Sequence, residues 1–476
     1  MPRLCGAFFW GCVLRFLILF KNYGLLFLIC FCFVLFSFSV FSTFKVGYGW
    51  HDQQRIAQIF LLIASLGYSF LNVKSLPSSG FRSVSFVLVL GFFSSMLAKE
   101  MLWASMEWAL YVGLVFLALT SASLNKSGNW RLAVACIAGL VGFLLAFQFL
   151  VYYVSSFLSG VKMLEPSLMY GGFANPRFLG QFQVVLIPLL AGLVINLWAG
   201  RPFFSVVCLV VLLLHWVIAF LLGGRGVWVA LFLSYAGLFI FASVLWRMIF
   251  LQASIVLLGF FLFKFMFELV PLWAGIDVGV YSHLRLGLSA RDIIWSSALE
   301  MAIIHPWFGV GPMNFSAIVN PVAAHPHQFI LQFFAEWGGL ATLFVILLMV
   351  RGLLRGIRFI RAEQVRSVDI SIWLAVASAL ILAQVDGVFV MPYVQTWLAV
   401  LVGAAVGSVS GNSLIRNAYV PMARLFIAQS SVVLIYVLLS QVPLLPEAQQ
   451  AHFEKHADGL KPRFWSQGWV PMEFND

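Results

Sequence analysis

Long apolar stretches separated by short basic connections run through most of the chain. They fall near residues 23–43, 56–72, 83–98, 104–121, 132–153, 178–198, 202–222, 227–245, 249–269, 329–350, 370–386, 396–409 and 425–443. A helix needs roughly 20 apolar residues to cross the hydrocarbon core of a bilayer. The stretches are continuous and do not alternate, which excludes a membrane strand barrel. The pattern predicts an all-α polytopic membrane protein with about 12–13 transmembrane helices. Two segments break it: a long, partly helical loop at 270–328 and a tail at 444–476. The expected organisation is therefore N-terminal helices over 1–269, the loop 270–328, C-terminal helices over 329–443, and the tail 444–476.

Composition narrows the class further. The chain of 476 residues is 62% hydrophobic and 9% charged, whereas soluble domains carry about 25% charged residues. So little charge cannot cover a water-facing surface, which excludes a soluble enzyme, a nucleic-acid binder and a disordered protein. The six cysteines lie in the N-terminal segment or in apolar runs, so neither a disulfide framework nor a zinc site is expected. Residues 1–22 are basic and apolar with no small-residue cleavage site after them, and read as a cytoplasmic interfacial segment.

The net charge of +11 reflects in large part the bias of Lys and Arg toward cytoplasmic connections. With Arg3, Arg15 and Lys21 in the cytoplasm, alternate connections carry Lys74 and Arg82, Lys126 and Arg131, Arg201, Arg247, the cluster Arg351 to Arg366, and Arg416 with Arg424. This parity places 270–328 and 444–476 on the opposite face, the periplasm of a bacterial inner membrane.

Four arginines break the bias. Arg177 lies in Phe173-Ala174-Asn175-Pro176-Arg177-Phe178, Arg225 in Gly223-Gly224-Arg225-Gly226, and Arg285 and Arg291 in the long loop. An arginine near a membrane boundary costs up to roughly 3 kcal/mol, depending on depth. Capping a helix, reaching lipid phosphate or pairing with an acid would each offset that cost. So would an anionic ligand, and the guanidinium fork suits phosphate because it stays charged and binds two oxygens together. The glycines beside Arg225 would also let backbone N–H groups approach the same anion.

Within the loop, 290–304 reads as an amphipathic helix, with Ile293, Ile294, Ala298, Met301 and Ala302 on one face. His305-Pro306-Trp307-Phe308-Gly309-Val310-Gly311-Pro312 follows as a fixed turn. Ala324-His325-Pro326-His327-Gln328 then precedes the next span. No Asp, Glu or Cys is near in sequence to complete a metal set, so no metal is expected. A neutral imidazole here could instead accept a hydroxyl proton near pH 7.

Together these residues carry a resemblance. Arg291-x-x-x-Trp295, then His305-Pro306-x-x-Gly309-x-Gly311-x-x-x-Phe315, His325-x-His327 and Glu336-x-Gly338 resemble the signature region of the O-antigen ligase and polymerase superfamily. Asn175-x-Arg177 with Gln181, and Gly224-Arg225-Gly226, are similar to two upstream elements of that family. Gln328 departs from it, since many members have asparagine after the histidine pair.

The resemblance implies an inner-membrane glycosyltransferase. Such an enzyme moves a glycan from an undecaprenyl-diphosphate carrier to a hydroxyl acceptor, with no nucleotide sugar, metal or other cofactor. Arg225 and Arg291 match diphosphate-binding arginines, and Arg177 and Arg285 are further phosphate contacts. Asn175, Gln181 and Trp295 join the substrate-binding set. The catalytic histidine matches His325 or His327, with His327 favoured because it lies closer to the next span. The acceptor could be a type IV pilin Ser or Thr, lipid A–core, or a growing glycan. Gly49-Trp50-His51-Asp52-Gln53-Gln54-Arg55, Phe173 to Arg177, and Lys461-Pro462-Arg463-Phe464-Trp465-x-Gln467-Gly468 look more like the pilin-modifying branch. A lipid-linked oligosaccharide flippase would spread charge along a mid-membrane cavity. Here Lys264 is the clearest charge within a span, and the other unexplained charges gather at one face.

Overall fold

Every one of the apolar runs becomes a helix in the computed structural model, which describes residues 24–42, 47–125, 129–241, 246–279, 291–320, 322–361, 365–409, 413–455 and 459–472. Hydrocarbon offers backbone groups no water, so each spanning segment must satisfy its own N–H and C=O groups, as helices do. The first half comprises α1 (Leu25–Ser37), α2 (Trp50–Asn72), α3 (Phe81–Leu97), α4 (Met101–Leu124), α5 (Trp130–Leu158), α6 (Pro176–Trp198), α7 (Pro202–Leu222) and α8 (Arg225–Phe241). Next is α9 (Trp246–Lys264), which runs through a π turn over Phe265–Leu269 to Ala274. The loop helix α10 (Arg291–Ile304) precedes α11 (Phe329–Ile360), α12 (Ser367–Leu382), α13 (Pro392–Val409), α14 (Val420–Ser440) and α15 (Leu445–Lys455). Among the described residues, nine helices are long and apolar enough to cross a membrane, and α1, α3, α8 and α12 are shorter apolar helices. The fold is an all-α polytopic membrane protein. The only paired strands among the described residues are Met163–Leu164 and Asp277–Val278, two parallel residues each. The expected interfacial segment 1–22 and Arg285 lie outside the described residues.

The centre of the bundle is α6, whose residues from Leu179 to Val194 are all buried. It packs on α12, α7 and α5, and this central post carries Arg177 and Gln181 at its first turns.

Helix α11 is the second positioning element. Its 32 residues would run roughly 48 Å, well beyond the roughly 30 Å hydrocarbon core. Gly338, at φ 82° and ψ 170°, divides it. The turn after α10 fills the kink: Gly339 N donates to Pro306 O at 2.7 Å, and a Cβ on Gly338 would lie 2.1 Å from the Trp307 carbonyl oxygen. The stretch 339–360 is left to span, and 329–337 stays with the loop.

Helix α10 docks on that upper stretch. Ile294, Ala298, Met301 and Ala302 bury against Ala335 and Phe315. Ile293, expected on the same face, is instead 43% exposed. Only 294, 298, 301 and 302 keep the i, i+4, i+7, i+8 spacing of a single stripe, and Ile293 lies about 100° away. The tail turns back into the bundle after α15, with residues 463–470 all buried.

Gly338→Ala should lower the melting temperature in detergent by several degrees, since its Cβ meets backbone atoms and its φ is left-handed. Unchanged melting would show that the kink is not required.

Candidate active site

Four chain segments meet at one end of α6. At its start Asn175 is the N-cap, accepting from Arg177 N at 2.9 Å, and Pro176 opens the first turn. Arg177 is therefore presented, exposed, on a fixed helix end. One turn later Gln181 donates Nε2–H to Asp386 Oδ1 at 2.9 Å. The second segment is the α7–α8 turn. Gly223 takes φ 60° to end α7, and Arg225 opens α8 with its side chain exposed. The third is the N-terminal residue of α10, Arg291, which is half-buried and donates Nη2–H to the Val385 carbonyl at 2.9 Å. The fourth is the histidine loop.

His327 adopts φ 55°. A left-handed non-glycine residue persists only where its surroundings over-determine it, and such residues cluster at functional sites. Its Nδ1 lies 3.7 Å from Asp386 Oδ1. The loop that carries it is braced on both sides. Trp295 donates Nε1–H to the Pro326 carbonyl at 2.9 Å, so its indole N–H is committed to the loop and not offered to a ligand. Gln328 caps α11 by accepting from Leu331 N and donates to Gln384 Oε1 at 3.2 Å.

His325 stands behind His327, with ring centroids 4.1 Å apart and edge-to-face. It is buried, and neither ring nitrogen makes a well-formed hydrogen bond. A Cβ on Gly387 would lie 2.4 Å from its Nε2, so the glycine makes room for the ring. Burial, and then the charges of His327, Arg463 and His51, hold its imidazole well below the ordinary value. His325 is a neutral spacer, and His327 is the histidine that faces a carboxylate.

Asp386 was invisible to a search for acids near the histidines in sequence, because it arrives from the α12–α13 loop. The legible trace is Gln384-Val385-Asp386-Gly387, a polar break at the end of an apolar run. Burial would raise its carboxyl. The nearby His327 imidazole, the Gly387 amide at 2.8 Å and the charge of Arg177 outweigh that and hold it below the ordinary range.

Burial lowers the Arg291 guanidinium, Asp386 raises it, and Arg177 and Arg225 lower it. The three arginines thus share one field, and three cations less one carboxylate leave a surplus of two positive charges. Lys264, by contrast, pairs with Glu268 one turn along and is locally compensated. Among the described residues no three His, Cys, Asp or Glu side chains group to hold a metal. A cavity of about 970 Å³ opens between α7, α8 and α9, lined by Trp216, Phe220, Trp228, Tyr235, Gln252 and Phe260 among others. Trp228 follows Arg225 by three residues, one helical turn.

With this geometry in place, residues 207–346 match the family model described as O-antigen ligase. The match covers 140 of the chain's 476 residues and makes that stretch similar to the O-antigen ligase family. No curated protein matches the chain, and no solved structure does. The matched region holds Arg225, Arg291 and both histidines. Arg177, Gln181 and Asp386 lie outside it in sequence and fold onto it.

Asp386 gives this candidate site a pH signature. With a folded pKa below the ordinary value, its carboxylate contributes stability above about pH 4 and loses it as pH falls through the folded value. Asp386→Asn should therefore melt below wild type at pH 7, with the gap closing below about pH 4. A gap of the same size at pH 7 and pH 3 would contradict an ionised carboxylate beside His327.

Proposed function

We propose that the protein is a glycosyltransferase that moves a glycan from undecaprenyl diphosphate to a hydroxyl acceptor at the periplasmic face of a bacterial inner membrane. The observation that carries the proposal is the gathering of three helix starts around the loop that brings Asp386 to His327: Arg291 bonds the Val385 carbonyl, Gln181 one turn after Arg177 bonds Asp386, and Gly226 beside Arg225 packs on Val385. A diphosphate esterified at both ends carries one negative charge on each phosphate, matching the surplus of two positive charges. The cavity lined by Trp228, one turn after Arg225, is apolar and would suit a polyprenyl chain.

Asp386 faces Nδ1 of His327 and leaves Nε2 for the acceptor. As the acceptor oxygen attacks the anomeric carbon, its proton passes to His327 Nε2 and the carbon–oxygen bond to the diphosphate breaks. The electron pair stays on the leaving phosphate, where the arginines stabilise it. Attack opposite the leaving group inverts the anomeric centre. One pre-placed charge contact is typically worth about 10²–10³ in rate, and the base about 10²–10⁴.

For the acceptor we infer a Ser or Thr of a type IV pilin, on the resemblance of 49–55 and 461–468 to that branch. Lipid A–core and a growing glycan are the alternative acceptors.

The test is the intact mass of a pilin co-expressed with the protein in a bacterium that makes undecaprenyl-diphosphate glycan and lacks its own ligase. The expected result is a shift by whole glycan units, reduced at least about 10²-fold in Arg291→Ala and in Arg225→Ala. Glycan on lipid A–core, or longer glycan chains with unshifted pilin, would reassign the acceptor. Wild-type transfer by both arginine variants would overturn the diphosphate role. His327→Ala should lose about 10²–10⁴ in rate, and a fully active His327→Ala protein would contradict the base.

A further inference from the structure

Two of the three motifs that resemble the pilin-modifying branch, 49–55 and 461–468, are bound to each other. His51, Asp52 and Arg55 open α2 as buried polar residues in an otherwise apolar bundle. Their partners are in the tail: Arg55 Nε donates to Phe464 O at 3.1 Å, and His51 Nε2 lies 3.2 Å from the same oxygen. Asp52 Oδ1 accepts from Ser466 N at 2.7 Å, and Asp52 Oδ2 from the Ser466 hydroxyl. Trp465 donates its indole N–H to Gln441 Oε1 at 2.8 Å. At the centre Arg463, 2% exposed, places Nη2 at 2.7–2.8 Å from both oxygens of Glu107 on α4 and 2.7 Å from Glu336 Oε2 on α11.

From there the tail reaches the histidine loop by three routes. Glu336 Oε1 accepts from Phe315 N at 3.3 Å. Val470 N donates to Ser316 O at 3.2 Å, and the Ser316 hydroxyl donates to Ala324 O at 2.7 Å. Gly468, at φ 93°, packs where a Cβ would lie 3.1 Å from Ala324 Cβ. Ala324 adjoins His325, whose ring supports His327. The three arginines of the anion site stand on α6, α8 and α10 and take no bond from this segment.

We propose that residues 459–472 form a strap that is part of the reaction site, with Arg463 as the positioning residue that holds loop 313–327 and so aims His327. The strap acts on proton transfer and not on donor binding, a division that rests on the function proposed above. It is also why the polar motif at 49–55 sits in the bundle: it holds the strap.

The experiment uses the full chain in lipid nanodiscs and compares wild type with Arg463→Gln and Gly468→Ala. The glycine variant leaves every ionisable group in place, but its Cβ would meet Lys461 O at 1.8 Å. It decides the matter if loss of the buried charge prevents folding. Hydrogen exchange over 313–327 should speed up at least about tenfold, with exchange in α6 unchanged. The value of kcat should fall about 10²-fold, as for a catalytic group displaced by about 1 Å, with the donor KM unchanged. Wild-type exchange in a folded Gly468→Ala protein would overturn the strap. So would a raised donor KM at constant kcat. Faster loop exchange in a protein that shows no transfer even as wild type would support the strap as a structural element and sink the functional reading alone.

Discussion

A guanidinium buried among apolar helices has to be neutralised where it stands, and Arg463 is neutralised by two carboxylates from two helices. Burial by itself would lower its pKa, and Glu107 and Glu336 together hold it above the ordinary value. Removing one member of such a group strands an uncompensated charge, which typically costs about 3–5 kcal/mol. This interaction ties α4, α11 and the last described segment to one point. The upper stretch of α11, the docked loop helix and the histidine loop are all placed relative to it.

The candidate site follows a different electrostatic plan. Its arginines are mounted at helix starts, Arg177 on α6, Arg225 on α8 and Arg291 on α10, and the acid that faces His327 comes from a loop. Helix starts are rigid and offer unpaired N–H groups, so cations there reinforce an anion site that the backbone already favours. The surplus of positive charge lies at the end of the bundle beside the aromatic cavity, where a lipid-linked anion would put its head and its chain. A flippase, with charge spread through the membrane interior, would show the opposite distribution. The mid-span charge on Lys264 is instead paired with Glu268.

Much of this was legible in the sequence, for a physical reason. Backbone satisfaction in hydrocarbon leaves long apolar runs one structure, so the helices could be read directly, as could α10 from its stripe. The misplaced arginines could be found because topology makes a basic residue at the external face conspicuous. Asp386 could not, since carboxylates carry no such bias and the contact to His327 spans two helices. Trp295 and Asn175 also carry structural bonds that the sequence did not announce: the indole N–H braces the histidine loop and the Asn175 side-chain oxygen caps α6. The choice between His325 and His327 also needed three dimensions: they are two residues apart, yet one packs on Gly387 and the other faces Asp386. The polar run at 49–55 had no visible partner along the chain, because its partner is more than 400 residues away.

The central claim is that arginines take the charge of a departing lipid diphosphate while His327 takes the acceptor proton. The most direct measurement is the single-turnover rate of lipid diphosphate release from a defined polyprenyl-diphosphate glycan by the purified protein in nanodiscs, with and without a hydroxyl acceptor. The account predicts release that depends on the acceptor, falls about 10²–10⁴-fold in His327→Ala, and leaves donor affinity unchanged. Release that is independent of the acceptor, or undiminished without the imidazole, would contradict it.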